Sequence, residues 1–185
     1  MPSAYQDVII AGFGGQGVML IGNLLAQAGM EHGLEVSFIP VYGAEMRGGT
    51  ANCTVVVSDE EIGSPLVKNP IAVIAMNLPS LDKYEPLIAS GGVLVVNSSM
   101  VDRAPRRTDI KTVMVPGNEL AEQIAEKRLA NMVLLGALLA NLPVLPLEAV
   151  EAGLKAHLPA RHQRFLPSNF AALRKGAEYI AEPVK

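Results

Sequence analysis

Cysteine occurs once in the 185 residues, at Cys53, and tryptophan not at all. A single thiol excludes an internal disulfide framework, a cysteine-based zinc finger and a self-held Fe–S cluster, and makes a reducing cytoplasm the expected compartment. Aromatics are few, four tyrosines and four phenylalanines. No basic stripe interleaves with them, so no nucleic-acid footprint is expected. Lys and Arg are missing from residues 1–7, so no secretory leader is expected. Long apolar runs are missing too. Residues 8–22 are interrupted by Gln16, and residues 132–145 by Asn141 and Pro143. Neither stretch reaches the roughly 20 apolar residues of a spanning helix, so no membrane association is expected. His32, His157 and His162 are too scattered to suggest a metal site.

What is present is enough for one domain covering residues 1–185. Half of the residues are hydrophobic, the formal net charge is −3 and the mean hydropathy is +0.30. Charge is uneven: residues 1–100 hold 3 basic and 9 acidic side chains, whereas residues 150–185 hold 6 and 3. The basic tail suits a solvated or partner-facing surface.

Short apolar runs at residues 6–11, 35–39, 50–57, 71–76, 91–96 and 111–115 predict strands. Helices are expected over 15–32, 79–89, 118–142 (with a break near 128–131), 146–157 and 166–180. Apolar strands alternating with helices imply a mostly parallel sheet covered on both faces. The expected fold is therefore a three-layer α/β/α, Rossmann-like domain with a helical C-terminal portion. Residues 40–49 are too short for a crossover helix, so the third strand is expected to run antiparallel and the sheet to be mixed.

Two helices are apolar nearly all round. In residues 18–30 the polar positions form one narrow stripe, Asn23 and Gln27 with Glu31 beyond, and residues 132–140 carry no polar side chain. Such a helix is either a central core helix or one covered by another polypeptide. The positive mean hydropathy tilts the balance toward a permanent partner.

Directly after the first strand stands Gly12-Phe13-Gly14-Gly15-Gln16-Gly17. It places G-x-G-x-x-G at a strand-to-helix junction, where glycines allow a tight turn and a close backbone approach to a ligand. The helix start adds unpaired N–H groups that favour an anion. A tight turn that binds nothing would read the same way. A dinucleotide fold also wants an acidic residue ending the second strand, but the sequence there is Phe38-Ile39-Pro40-Val41-Tyr42. A conventional NAD dehydrogenase is thereby disfavoured. Next comes Tyr42-Gly43-Ala44-Glu45-Met46-Arg47-Gly48-Gly49-Thr50, in which Arg47 is the only Lys or Arg among the first 67 residues. A lone guanidinium in a glycine-bounded loop suits a phosphate or carboxylate, unless it simply pairs with Glu45. Asn77, Asn97-Ser98-Ser99 and Gly117-Asn118 end other strands, where ligands of open α/β sheets sit. Cys53, in a β-rich run, is expected to be buried and inert.

On these residues the sequence resembles the γ subunit of the 2-oxoacid:ferredoxin (acceptor) oxidoreductases. The match rests on strand–GFGGQG–helix and on YGAEMRGGTANCTVVVSD at 42–59. The strand at 91–97, the Asn131-Met132-Val133 helix start with Leu135-Gly136-Ala137 after it, and the helix at 173–180 also fit. Ala44 departs from the proline that many members carry. The resemblance implies a chain without catalytic residues or a cofactor of its own. It docks on partner α and β subunits (a δ subunit being a further candidate) that hold thiamine diphosphate and Fe–S clusters. The assembly converts a 2-oxoacid, coenzyme A and oxidised ferredoxin to acyl-CoA, CO2 and reduced ferredoxin. It further implies that Gly12, Gly14, Gly15, Gln16 and Gly17, with Glu45, Arg47, Gly48 and Gly49, face the coenzyme A region. The second loop is most like γ chains acting on 2-oxoglutarate, with branched-chain 2-oxoacids and pyruvate left open. The rival readings are a free-standing nucleotide-binding oxidoreductase and a purely structural subunit.

Overall fold

The computed structural model describes residues 5–42 and 49–179. Six strands form one sheet in the order β2-β3-β1-β4-β5-β6. They are β1 (Tyr5–Phe13), β2 (Glu35–Tyr42), β3 (Thr50–Ser58), β4 (Ala72–Ala75), β5 (Val93–Asn97) and β6 (Lys111–Val115). β1, β4, β5 and β6 pair parallel, whereas β3 runs antiparallel to both β1 and β2. The short 40–49 connection dictated that reversal, and the mixed α/β sheet is the expected one. β2 runs on past Ile39 to Tyr42, through Pro40. Proline is tolerated there because β2 is an edge strand, hydrogen-bonded on one side only.

Alternation along β1 divides the interior in two. Val8 and Ile10 point into a large cluster with the first helix, α1 (Val18–Glu31), and Ile9 and Ala11 into a smaller one with α2 (Leu78–Tyr84). α1 lies close on β2 and β3 because two of its glycines, one full heptad apart, meet the sheet. A Cβ on Gly22 would collide with the Cys53 sulfur and come to 3.1 Å from Phe38, and one on Gly29 would reach 2.9 Å from Val36. Burial pushes the Cys53 thiol up to about 12, so it is a packing group with no acid–base role near neutrality.

The helix expected over 118–142 is two helices. α3 (Gly117–Glu122) stops, the backbone turns extended at Glu126, and a 3-10 turn at Lys127–Leu129 leads into α4 (Ala130–Asn141). The break falls earlier than the sequence suggested, since no glycine or proline marks it. α5 (Leu147–His157) packs on α1, with Gly153 against Ala28, and α6 (Leu166–Glu178) packs on α4. Every α4 residue from Ala130 to Leu139 is buried. Its all-round apolar surface is covered by the sheet on one side and by this chain's own α6 on the other, so α4 is the core-helix case. α1 differs, for Leu20 and Met30 are 49% and 58% exposed. No helix among the described residues is long and apolar enough to cross a membrane.

Candidate functional site

The glycine-rich turn closes β1 onto α1 through side-chain bonds that the sequence pattern alone did not reveal. Gln16 folds its side chain back, and its Oε1 accepts from the Phe13 amide (2.7 Å) and from Asn77 Nδ2 (3.1 Å). Its Nε2 reaches the Met76 carbonyl at 3.5 Å. Asn77 in turn caps α2, accepting from the Ser80 amide at 3.0 Å. Gln16 thus ties the ends of β1 and β4 together. Gly12 must be glycine for this to happen, because a Cβ there would come to 2.6 Å from Gln16 Oε1. Gly15 and Gly17 take positive φ, 96° and 79°, a region that costs other L-residues about 1–2 kcal/mol.

The turn also meets the start of β3. Gly14 N donates to the Gly49 carbonyl at 3.0 Å, and Gln16 N donates to the Phe13 carbonyl at 3.1 Å. Those two amides are engaged within the fold. Gly15 and Gly17 donate no backbone bond among the described residues. Of the nine residues singled out in the sequence, Gly12, Gly14, Gly15, Gln16, Gly17 and Gly49 come together at this corner. Glu45, Arg47 and Gly48 lie outside the described residues.

Beside the turn opens a crevice of about 260 Å3 at the carboxyl ends of β1, β4 and β5. Gly15 and Gln16 line it from the glycine turn, Met76, Asn97, Met100 and Asn118 from the strand ends and the segments after them, and Lys127, Arg128, Ala130, Asn131 and Leu134 from the 3-10 turn and the start of α4. Its asparagines are fixed. Asn97 Oδ1 accepts from the Gly117 amide (3.2 Å), while its Nδ2 donates to Asn118 Oδ1 (3.3 Å). Asn131 Nδ2 reaches the Gly17 carbonyl at 3.4 Å, joining the glycine turn to the start of α4. Nearby, Ser99 donates to the Glu119 carboxylate and accepts from the Asn118 amide at 3.0 Å. The Ser99 bond holds Glu119 below the usual carboxylate range. Among the described residues no carboxylate, imidazole or thiol lines the crevice, and the charged side chains that do are Lys127 and Arg128. Strand-end spacing had marked Asn97 and Asn118 but not these two cations, which the 3-10 turn between α3 and α4 brings to the exposed rim of the crevice.

A second charged cluster is structural. At the opposite end of α2, buried Glu85 accepts from the Arg106 amide, from the Arg107 amide (2.9 Å) and from Arg103 (3.1 Å). Arg107 also grips Asp109 and holds that carboxyl down to about 2. Among the described residues no three of His, Cys, Asp and Glu are grouped as metal ligands.

Residues 7–179 match the family model described as pyruvate ferredoxin/flavodoxin oxidoreductase. Ketoisovalerate oxidoreductase subunit VorA of Methanothermobacter thermautotrophicus is 37% identical over 96% of this chain, which spans only 37% of that longer protein. The 2-oxoglutarate synthase subunit KorC of the same organism is 34% identical, with 96% of each covered. Among solved structures, a keto/oxoacid ferredoxin oxidoreductase γ subunit from Geobacter sulfurreducens superposes with a TM-score of 0.80 at 29% identity, covering 94% of this chain and 96% of that one.

Proposed function

Since the chain belongs to the pyruvate ferredoxin/flavodoxin oxidoreductase family as a γ-subunit domain, we propose that it works inside a thiamine- and ferredoxin-dependent 2-oxoacid oxidoreductase and forms part of its coenzyme A region. Decarboxylation of the 2-oxoacid, release of CO2 and transfer of the electron pair to ferredoxin take place on partner subunits, and the acyl group leaves on coenzyme A. This domain supplies binding groups for the coenzyme: the glycine turn, Arg47 in the loop before β3, and the crevice beside them. The preferred substrate is 2-oxoglutarate, on the wording of residues 42–59 and the end-to-end likeness to a subunit named for that acid.

The observation that carries this reading is the crevice itself. It offers cations and side-chain amides at strand ends and, among the described residues, no carboxylate, imidazole or thiol, as suits a domain that binds an anion while chemistry happens elsewhere. At about 260 Å3 it is smaller than the roughly 300–1,000 Å3 of a pocket for a whole drug-sized ligand. It therefore fits a phosphate-bearing portion of coenzyme A. Affinity capture of this chain from native extract tests the assembly, and recovery of thiamine- and Fe–S-binding polypeptides in fixed ratio is the expected result. In that assembly Arg47→Ala should raise the KM for coenzyme A, and an unchanged KM would remove Arg47 from the site. A purified chain that oxidised a 2-oxoacid or reduced a nicotinamide unaided would overturn the reading.

A further inference from the structure

The coenzyme A reading leaves open which side chain in the crevice meets the ligand's charge. Two cations reach the crevice, and they are not equivalent. Lys127 already faces acids, with its ammonium 3.2 Å from Glu122 and close enough to Glu119 to lower that carboxyl. Arg128 makes no ion pair or hydrogen bond among the described residues, unlike Arg103, Arg107 and Arg174, each of which grips a carboxylate. Arg128 lines the crevice together with Gly15 and Gln16, and among the described residues no carboxylate lines it to neutralise the guanidinium. Its backbone is held by a 3-10 turn that leads directly into the buried α4, so the guanidinium is presented from a fixed base.

Resting on the coenzyme A reading, we propose that Arg128 is the phosphate-binding residue of this crevice, gripping a phosphate of coenzyme A. A planar guanidinium matches two phosphate oxygens at once, and Gly15, whose amide donates no backbone bond among the described residues, lines the same crevice. Lys127 is secondary because its charge is shared with Glu122. Coenzyme A carries phosphate in two places, the pyrophosphate and the ribose 3′-phosphate. The chemistry of recognition is the same for both.

The test uses the assembled oxidoreductase carrying Arg128→Ala, Arg128→Lys or, as a control, Lys155→Ala on the exposed side of α5. Initial rates are measured against coenzyme A, 3′-dephospho-coenzyme A and pantetheine, which lacks all phosphate. Arg128→Ala is expected to raise the KM for coenzyme A about tenfold or more, the range for a lost charge-assisted bond. Lysine at 128 should recover part of it, and Lys155→Ala should match wild type. The KM for pantetheine should not move with Arg128→Ala. An equal rise for the dephospho compound assigns the pyrophosphate, and no rise assigns the 3′-phosphate. The proposal is overturned by a coenzyme A KM that stays at wild type, by an equal rise with pantetheine, or by a rise confined to the 2-oxoacid. A wild-type complex that did not consume coenzyme A would refute the underlying reading, and the proposal with it.

Discussion

Replacing Gly136 by alanine tests how α4 is covered. On an isolated helix the change should help, since alanine exceeds glycine by about 1 kcal/mol in helix propensity. Here it meets backbone. A Cβ on Gly136 would lie 2.9 Å from the Leu173 carbonyl carbon and 3.0 Å from the Ala177 nitrogen, and closer still to the Leu173 oxygen. The contact is reciprocal, for a Cβ on Gly176 would lie 2.6 Å from the Val133 carbonyl carbon. None of these atoms can rotate away, so α4 and α6 must part and expose apolar surface along both. Overpacking of this kind costs about 1–3 kcal/mol and occasionally more, which outweighs the propensity gain. We expect a net loss of about 2 kcal/mol, or roughly 4–8 °C in Tm for a chain of this size, with the same sign for Gly176→Ala. Circular-dichroism melts of the two variants provide the measurement. Gly63→Ala is the control, because nothing lies within 4 Å of its Cβ position and its φ is ordinary; it should be neutral or slightly stabilising. A Gly136→Ala protein melting at or above wild type would show that the two helices do not cross at this closeness.

Glu85→Ala removes the acceptor shared by two backbone amides and Arg103 and should cost about 3 kcal/mol. Faster hydrogen exchange across residues 98–110 would mark the released loop, and exchange as slow as wild type would count against Glu85 as its anchor. Asn77→Ala strips the α2 cap and frees Gln16, with an expected loss of about 1–2 kcal/mol by urea titration; a loss under a few tenths would contradict the linked corner. Cys53 should resist Ellman's reagent at pH 8 until the fold is opened, then yield one thiol. Its sign under linkage is fixed, since the folded thiol titrates near 12 and the unfolded one near 9. The unfolded state therefore ionises first, and stability is lost as pH rises between those values, by up to about 1.4 kcal/mol per unit. Cys53→Ala should lack this component, and an identical alkaline slope in both proteins would refute it.

Much of the architecture was legible because it depends on short-range pattern. Six apolar runs became six strands, and the short 40–49 connection announced the antiparallel β3. The glycine spacing at 12–17 marked a real corner, yet pattern could not tell which polar atoms that corner consumes internally. Gln16 looks like a ligand-facing residue in sequence and is a strut in the fold, and Gly14 spends its amide on Gly49. The α4 side of the crevice was invisible for a different reason. A break is expected near 128–131, but with no glycine or proline there to fix it the pattern does not show that the chain turns extended at Glu126 and brings Lys127 and Arg128 to the rim of the crevice. Hydropathy was likewise blind to ownership: residues 132–140 needed cover, and composition cannot say whether α6 or a foreign chain provides it.

That ownership changes what the domain can contribute to turnover. With α4 satisfied internally, its apolar surface is no argument for a partner, and the case for one rests on the family to which the chain belongs. Among the described residues the crevice holds donors, two cations and apolar methionines, but no carboxylate, imidazole or thiol. A site of that composition binds ground state and transition state of a distant reaction about equally, so its energy appears in KM rather than in kcat. Substitutions at Arg47 and Arg128 should therefore weaken saturation by coenzyme A while the maximal rate persists. A dominant fall in kcat from either would mean that these cations sit close enough to the reacting acyl group to sense its changing charge.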